Sequence, residues 1–140
     1  MTDIVKLESV KKSDYRFLYV LLSQRRSLAN ISHKRMPTFG EHIRFVKSRP
    51  YSKWYVIYHQ RKKIGAIYLS KQNEIGIHLM REYEKKSIYL ESIKKLIVEN
   101  PRNRYLANIS PQNKNYIRIF KELGFNLIQY TYERDETEIS

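Results

Sequence analysis

The chain has 140 residues, no cysteine and a formal charge of +13 at pH 7. That length suits one domain with its own hydrophobic core. The missing cysteines exclude disulfides, a thiolate nucleophile and a zinc–cysteine site. The N-terminus, MTDIVKLESVKKSDYRF, lacks the apolar stretch of a signal peptide, and no apolar run is long enough to cross a bilayer. We therefore expect a cytoplasmic protein with no membrane partner.

The charge is unevenly distributed along the chain. Four of the 14 acidic residues lie at the C-terminal end: Glu133, Asp135, Glu136 and Glu138. All but one of the 27 basic residues precede this group. A body this basic attracts nucleic acid or phosphorylated small molecules. We expect a single domain over residues 1–132 and a frayed acidic tail over residues 133–140.

Hydrophobic periodicity and turn residues predict the order of the elements. In chain order they are a strand over 4–7, a helix over 13–24, a helix between Thr38 and Pro50, strands over 54–59, 64–69 and 74–79, a helix over 87–99, a strand over 105–109, a helix opening at Asn113 and a strand over 126–132. Antiparallel strands followed by a β-α-β crossover predict an α/β (α+β) fold, with a mixed sheet flanked by helices on both faces.

Local signals support the limits of these elements. Ser13 is a candidate cap for the first helix, and Thr38 with Glu41 forms a capping box for the second. The basic turn over residues 60–63 predicts a hairpin between the strands on either side of it. The apolar stripes that we expect to be buried are Phe17, Leu18, Leu21 and Leu22 on the first helix, Ile43, Phe45 and Val46 on the second, and Tyr89, Ile93, Leu96 and Ile97 on the third.

The segment from Asn113 to Phe125 carries the most information about function. Its apolar residues Tyr116, Ile117, Phe120 and Leu123 fall at helical spacing. Gly124 supplies the left-handed position just after the helix. The string Asn-x-x-x-Ile-x-x-Phe-x-x-Leu-Gly-Phe resembles the C-terminal part of the GNAT superfamily of acetyl-CoA-dependent N-acetyltransferases. The resemblance implies that Asn113 contacts the cofactor and that Phe120 lies beside the thioester.

The resemblance covers nearly the whole chain and is strongest over residues 54–131. The order β-α-α-β-β-β-α-β-α-β is that of the GNAT fold, whose sheet is mixed but mostly antiparallel. In that fold the loop between the strand that corresponds to residues 74–79 and the following helix binds the acetyl-CoA pyrophosphate with main-chain N–H groups and the helix dipole. The corresponding cofactor-binding residues here are Leu79, Met80, Arg81, Glu84, Lys85, Lys86, Ser87, Ile88 and Tyr89.

Several signature positions depart from the family pattern. Glu84 stands where the family has glutamine or arginine, and Ser87 and Tyr89 replace a glycine and a glycine or alanine. We expect the phenol of Tyr89 to crowd the pantetheine arm. Phe120 replaces the tyrosine that serves as general acid in many members, so Tyr116, one turn earlier, is the candidate for that role.

Amine acetylation needs a deprotonated amine, a polarised thioester carbonyl and a proton for the leaving thiolate. Glu74, Gly76 and His78 share one face of their strand, and in the family a base often comes from this strand. His78 is a candidate because the ordinary pKa of histidine side chains lies near neutrality, and Glu74 is the carboxylate alternative. The resemblance implies that the N–H near Leu79 polarises the thioester.

The acceptor site of the family is built from the N-terminal half. The stretch over residues 30–57, with Arg26 ahead of it, is similar to that of GNAT proteins that acetylate amino-sugar nucleotides, which implies the substrate-binding residues Arg26, Asn30, His42 and Trp54. Arg26, Lys34 and Arg35 would bind a diphosphate, and Trp54 or Tyr55 would stack on a base or sugar. Helix capping and core packing explain several of the same residues without a ligand. No histidine pair has metal-ligand spacing with a carboxylate, so we expect no metal.

The first hypothesis is direct transfer of an acetyl group from acetyl-CoA to a primary amine of a small acceptor in a ternary complex. The second keeps the fold without the chemistry: a degenerate binding protein in which Tyr89 and Tyr116 fill the coenzyme groove. The third is a basic nucleic-acid-binding module, although the sequence contains no recognised RNA motif. The chain is expected to be a monomer or a homodimer.

Overall fold

The computed structural model describes residues 4–24 and 36–136. Its elements are β1 (Lys6–Ser9), α1 (Tyr15–Ser23), α2 (Phe39–Lys47), β2 (Lys53–His59), β3 (Lys62–Leu69), β4 (Ile75–Leu79), α3 (Lys86–Glu99) and α4 (Lys114–Glu122). Single 3-10 turns precede α1 and α3. No helix within the described ranges is long and apolar enough to span a membrane.

The four strands form one antiparallel sheet in the order β1-β2-β3-β4. The hairpin between β2 and β3 confirms the predicted turn, which is two residues long. Gln60 and Arg61 both have positive φ, 49° and 67°, as a type I′ turn requires. β2, β3 and β4 follow one another directly along the chain, whereas β1 pairs with β2 across the two intervening helices.

The sheet is covered on both faces, as the sequence predicts. On one face, alternate strand residues such as Ile57, Ile67 and Ile77 pack against α3 and α4 in the larger core. On the other face, Ala66 packs against α1 and α2 in a smaller cluster with Leu18, Leu21 and Val46. The α/β fold class is confirmed.

The two predicted helix caps in the N-terminal half have different outcomes. Thr38 and Glu41 form the capping box, with Thr38 Oγ1 accepting from Glu41 N at 3.1 Å and Glu41 Oε1 accepting from Thr38 N at 2.8 Å. The cap at Ser13 is wrong, because Asp14 occupies the N-cap position of α1, although its side chain makes no capping hydrogen bond there. The buried Asp14 carboxylate accepts from Lys11 N at 2.9 Å and forms a 2.6 Å ion pair with Lys63.

The C-terminal strands also differ from the prediction. Residues 105–109 form a single parallel bridge, between Glu74 and Leu106, because this segment diverges from β4 beyond that point. Residues 126–132 form no strand and are exposed. Gly124, at φ 93°, ends α4 as predicted, and Phe125 N donates to Phe120 O at 3.0 Å in a Schellman arrangement.

Candidate functional site

The site is a cleft at the edge of the sheet, where β4 and the segment after α3 separate. Leu106 bonds to the main chain on both sides of Glu74, at the start of β4: its N–H donates to Asn73 O and its carbonyl accepts from Ile75 N, both at 2.8 Å. Beyond this bridge a small, solvent-open cleft follows, with a volume of about 60 Å³. Its lining includes Tyr68, Glu74, Gly76, Ile77, His78, Asn108, Ser110, Asn113, Tyr116 and Phe120.

The main chain of β4 presents polar groups to this cleft. Ser70 N donates to Glu74 O and Met80 N donates to Ile64 O, both at 2.8 Å. Hydrogen bonds to β3 therefore lie at the even-numbered residues, because antiparallel pairing alternates along a strand. The N–H and C=O groups of Ile77 and Leu79 consequently point away from β3, and Ile77 lines the cleft.

Glu74 closes one end of the cleft. Its Oε2 accepts from Asn108 Nδ2 at 2.8 Å, and its Oε1 accepts from Ser70 Oγ at 3.2 Å. Both carboxylate oxygens thus already hold hydrogen bonds, one of them across the gap to the diverging segment. This arrangement fixes the width of the cleft at its base.

His78 lies on the opposite side of β4 from the buried residues, as predicted. It pairs with Ala66 on β3, is half-buried and lines the cleft. Ile75, Ile77 and Leu79 are buried on the other face. The alternation therefore places His78 and Glu74, the two candidate bases, at the same cleft.

The start of α4 provides the opposite wall. Asn113 caps the helix, with Oδ1 accepting from Tyr116 N at 3.3 Å. The Tyr116 hydroxyl donates to the carbonyl of Ile77 at 2.9 Å. Phe120 is buried at the bottom of the wall and meets the ring of Phe125 edge-on, with 5.0 Å between centroids. The Tyr116 hydroxyl is thus already hydrogen-bonded to one of the polar main-chain groups that β4 presents, the carbonyl of Ile77.

Tyr89 lies in the core beneath α3 and is 1% exposed. Its ring meets the ring of Tyr116 at 5.1 Å between centroids and 68° between planes. Tyr116 lines the cleft whereas residues 80–89 do not. The two phenol rings therefore form a wall between the cleft and the first turn of α3.

The loop and first turn that lead into α3 have the features of an anion site. The N–H groups of Ile88 and Tyr89 donate to Lys85 O, whereas those of Lys86 and Ser87, at the helix start, have no acceptor within the described part of the chain. Arg81, Glu84, Lys85, Lys86 and Ser87 are exposed there, and Ile88 is buried. Lys86 forms a 2.7 Å ion pair with Glu122 of α4.

The predicted substrate-binding residues are dispersed. Arg26 and Asn30 lie outside the described residues. His42 is 5% exposed, between α1 and α2, and its ring lies 5.3 Å from that of Tyr19. Burial lowers the pKa of His42 below its ordinary value, and a hydrogen bond with the main chain of Tyr15 opposes that effect.

Trp54 and Tyr55 lie on opposite faces of the sheet. Trp54 is half-buried and meets Tyr51 edge-on, with 4.8 Å between centroids. Tyr55 is buried in the larger core, where its hydroxyl accepts from Asn100 Nδ2 at 3.1 Å. Tyr55 is therefore not placed to stack on a ligand.

An aromatic pair beside the cleft was missed. Tyr68 stacks on Tyr51 with 3.8 Å between centroids and 4° between planes. The Tyr68 ring also covers Gly76, where a Cβ atom would collide with it. A glycine in the middle of a strand opposite a tyrosine is the signal that could have located this pair, once the hairpin register was known.

Comparison with known proteins identifies the fold. No family model matches the sequence, and no curated protein matches it significantly. Among solved structures it is similar to RimL, a ribosomal alpha-N-protein acetyltransferase in complex with coenzyme A: identity is 16%, the match covers 91% of this chain and 83% of that one, and the TM-score is 0.74. A dodecameric spermidine N-acetyltransferase from Vibrio cholerae matches with 17% identity, 96% and 86% coverage and a TM-score of 0.75.

A domain from Methanocaldococcus jannaschii is similar as well, with 19% identity, coverage of 92% of both chains and a TM-score of 0.72. These likenesses span nearly the whole chain. The described residues therefore have the fold of the GNAT N-acetyltransferases, as the element order and the segment around Asn113 predict.

Proposed function

We propose that this chain is an acetyl-CoA-dependent N-acetyltransferase that acts on a primary amine. The observation that supports this most is the cleft at β4. Ile77, whose polar main-chain groups point away from β3, lines it together with Glu74, His78 and Asn113. Acetyl-transferring proteins of the same fold supply the class of reaction.

Two regions of the chain suit two parts of acetyl-CoA, the pantetheine arm and the pyrophosphate. The edge of β4 offers N–H and C=O groups to the amides of an extended pantetheine arm, in the manner of an added strand. At the start of α3, the N–H groups of Lys86 and Ser87 and the side chains of Arg81 and Lys85 suit a pyrophosphate. Tyr116 lies between the two regions, so its ring has to turn away before one molecule can bind both.

The reaction joins the amine nitrogen to the acetyl carbon and breaks the carbon–sulfur bond, and one proton passes overall from the amine to the sulfur. The N–H of Leu79 would polarise the thioester carbonyl. We take His78 as the base, with Glu74, whose two oxygens accept hydrogen bonds from Ser70 and Asn108, as the carboxylate alternative. Tyr116 is the candidate proton donor once its hydroxyl leaves the carbonyl of Ile77.

We favour an amino sugar on a nucleotide carrier as the acceptor. The acetyl group passes to it directly in a ternary complex. Tyr68, whose ring stacks on Tyr51, lines the cleft and gives this side of it an aromatic surface beside which a planar base can lie. The basic composition of the chain favours an acceptor that carries phosphate. The absence of cysteine agrees with direct transfer rather than a thiol-bound acyl enzyme.

A thiol-release assay tests the proposal with unusually low background. Because the chain has no cysteine, a thiol-reactive dye reports only coenzyme A freed by acetyl transfer. The acceptor panel comprises an amino-sugar nucleotide, a polyamine and a peptide with a free N-terminus. We expect release with at least one of them, and a loss of turnover without loss of acetyl-CoA binding in His78→Gln. Binding of acetyl-CoA without release from any amine would contradict the enzymatic proposal.

The second candidate function is binding without catalysis. It is favoured by one observation, the contact between Tyr89 and Tyr116 that separates the cleft from the start of α3. In that case the phenol rings stay in place, and the cleft accepts a small ligand rather than the coenzyme. Calorimetry with acetyl-CoA distinguishes the two candidates, because only the enzyme requires the rings to part.

A further inference from the structure

We propose that Tyr68 determines which acyl group the chain accepts, because its ring closes the end of the cleft that the acyl chain enters. The donor is then a coenzyme A thioester with a short acyl group, acetyl rather than butyryl or longer. This inference rests on the proposed function and adds a specificity-determining residue to it.

The direction of the donor follows from its proposed contacts. The pyrophosphate lies at the start of α3 and the thioester carbonyl at the N–H of Leu79, so the donor reaches β4 from its C-terminal end. The acyl chain therefore extends back along β4 towards Gly76, which lines the cleft. With a volume of about 60 Å³, the cleft has room for only a few water-sized groups.

The register of the sheet explains why Tyr68 reaches this place. Trp54, Tyr68 and Gly76 are paired in one row across β2, β3 and β4, and cross-strand neighbours share a face of the sheet. Trp54 is a large neighbour on one side of Tyr68, whereas Gly76 has no side chain on the other. The outer end of the Tyr68 ring therefore takes the space where a Cβ atom of residue 76 would lie.

Other aromatic rings hold the Tyr68 ring in this position. Tyr51 stacks on it with 3.8 Å between centroids and 4° between planes. Tyr51 in turn meets Trp54 edge-on at 4.8 Å and Phe45 edge-on at 5.9 Å. Moving Tyr68 aside would disturb this whole group of rings. A longer acyl chain thus meets a wall that its neighbours support.

The next row of the sheet leaves room for the acceptor. Val56, Ala66 and His78 are paired in that row, so His78 has a small neighbour where Gly76 has Tyr68. Tyr68 and His78 then divide the cleft between the acyl chain and the acceptor amine. An acyl chain too long for its own part would have to turn towards His78, into the space that the amine needs.

Calorimetry with acetyl-CoA and butyryl-CoA tests the inference without requiring turnover. We expect the wild type to bind butyryl-CoA about tenfold or more weakly than acetyl-CoA, and Tyr68→Ala to reduce this ratio to about twofold or less. Tyr68→Phe is the matched control, because it keeps the ring and should keep the wild-type ratio. Both ligands require Tyr116 to turn aside, so that cost cancels in the ratio.

Tyr51→Ala supplies a second variant, which leaves Tyr68 in the chain but removes its support. We expect a ratio between those of the wild type and Tyr68→Ala, and denaturant unfolding shows whether each variant is folded. Equal affinities of the wild type for the two thioesters, or a ratio that neither alanine variant changes, would overturn the inference and leave the proposed acetyl transfer standing. Binding of neither thioester would overturn both.

Discussion

The hydroxyl of Tyr116 donates a 2.9 Å hydrogen bond to the main-chain carbonyl of Ile77. This bond joins the first turn of α4 to the free edge of β4 and crosses the cleft that the GNAT fold opens there. Acetyl-CoA would have to replace it. Tyr116 therefore controls whether the coenzyme can reach the main chain of β4.

We expect Tyr116→Phe to bind acetyl-CoA more tightly. The variant retains the ring but frees the Ile77 carbonyl, and a net hydrogen bond of this kind corresponds to roughly a threefold to tenfold change in affinity. Titration calorimetry measures the change. The control is Tyr105→Phe, which removes a hydroxyl bonded to Asn100 O on the far side of the segment. Equal affinities of Tyr116→Phe and wild type would show that the bond does not oppose binding.

Gly76→Ala should destabilise the protein by about 1–3 kcal/mol, because the new methyl group collides with the ring of Tyr68. Displacing that ring also disturbs its stack with Tyr51 beside the cleft. The matched control is Gly40→Ala in α2, where the methyl group meets only Arg44 Nη1 at 3.9 Å. The control should stabilise the helix by up to about 1 kcal/mol. Denaturant unfolding measures both, and an equal response would contradict the packing described.

Asn113→Ala separates a structural role from a binding role. Asn113 and Thr38 both cap helices, so alanine at either position should cost about 1 kcal/mol of stability. Only Asn113 lines the cleft. We therefore expect Asn113→Ala alone to weaken acetyl-CoA binding, measured by calorimetry at a temperature where both variants are folded. A similar loss of affinity in Thr38→Ala would indicate a general effect of stability.

Stability should fall as the pH falls below neutrality, because burial lowers the pKa of His42 in the folded state. The unfolded chain binds this proton first, so the stabilisation is complete above the ordinary histidine pKa of about 6.5 and is lost as the pH falls through the lower folded value. The Nε2 atom of His42 is buried without a partner, so a charge there is unfavourable.

The measurement is the free energy of unfolding at pH 7.5 and pH 5.5 for the wild type and His42→Phe. The substitution should make the difference in the free energy of unfolding between the two pH values smaller. An unchanged difference between the two pH values would exclude His42 as its source.

Local patterns predicted most of the fold. The capping box at Thr38, the β2–β3 hairpin and the glycine stop at Gly124 depend on residues close together in the chain, so the sequence shows them directly. The strand predicted over residues 105–109 forms only one bridge, because its neighbour β4 diverges from it. The strand predicted over 126–132 lacks a partner within the chain. Pairing depends on a distant segment, which strand-like composition does not specify.

The same distinction applies to the site. Alternation along β4 correctly placed Glu74 and His78 on one face, and the resemblance around Asn113 placed the start of α4 at the cleft. The stack of Tyr51 on Tyr68 required the register between separate elements and was missed. His42 was assigned to the substrate, but its burial between two helices was not evident from a helical pattern alone. The role of each candidate residue stays a prediction.

Titration of the wild-type protein with acetyl-CoA tests the central claim most directly. If Tyr116 can turn aside, we expect one molecule of acetyl-CoA to bind per chain, with an affinity that falls as salt rises because the phosphates meet cationic residues. If neither the wild type nor Tyr116→Phe binds the coenzyme at millimolar concentration, the two phenol rings close the cleft permanently and the proposed acetyl transfer is wrong.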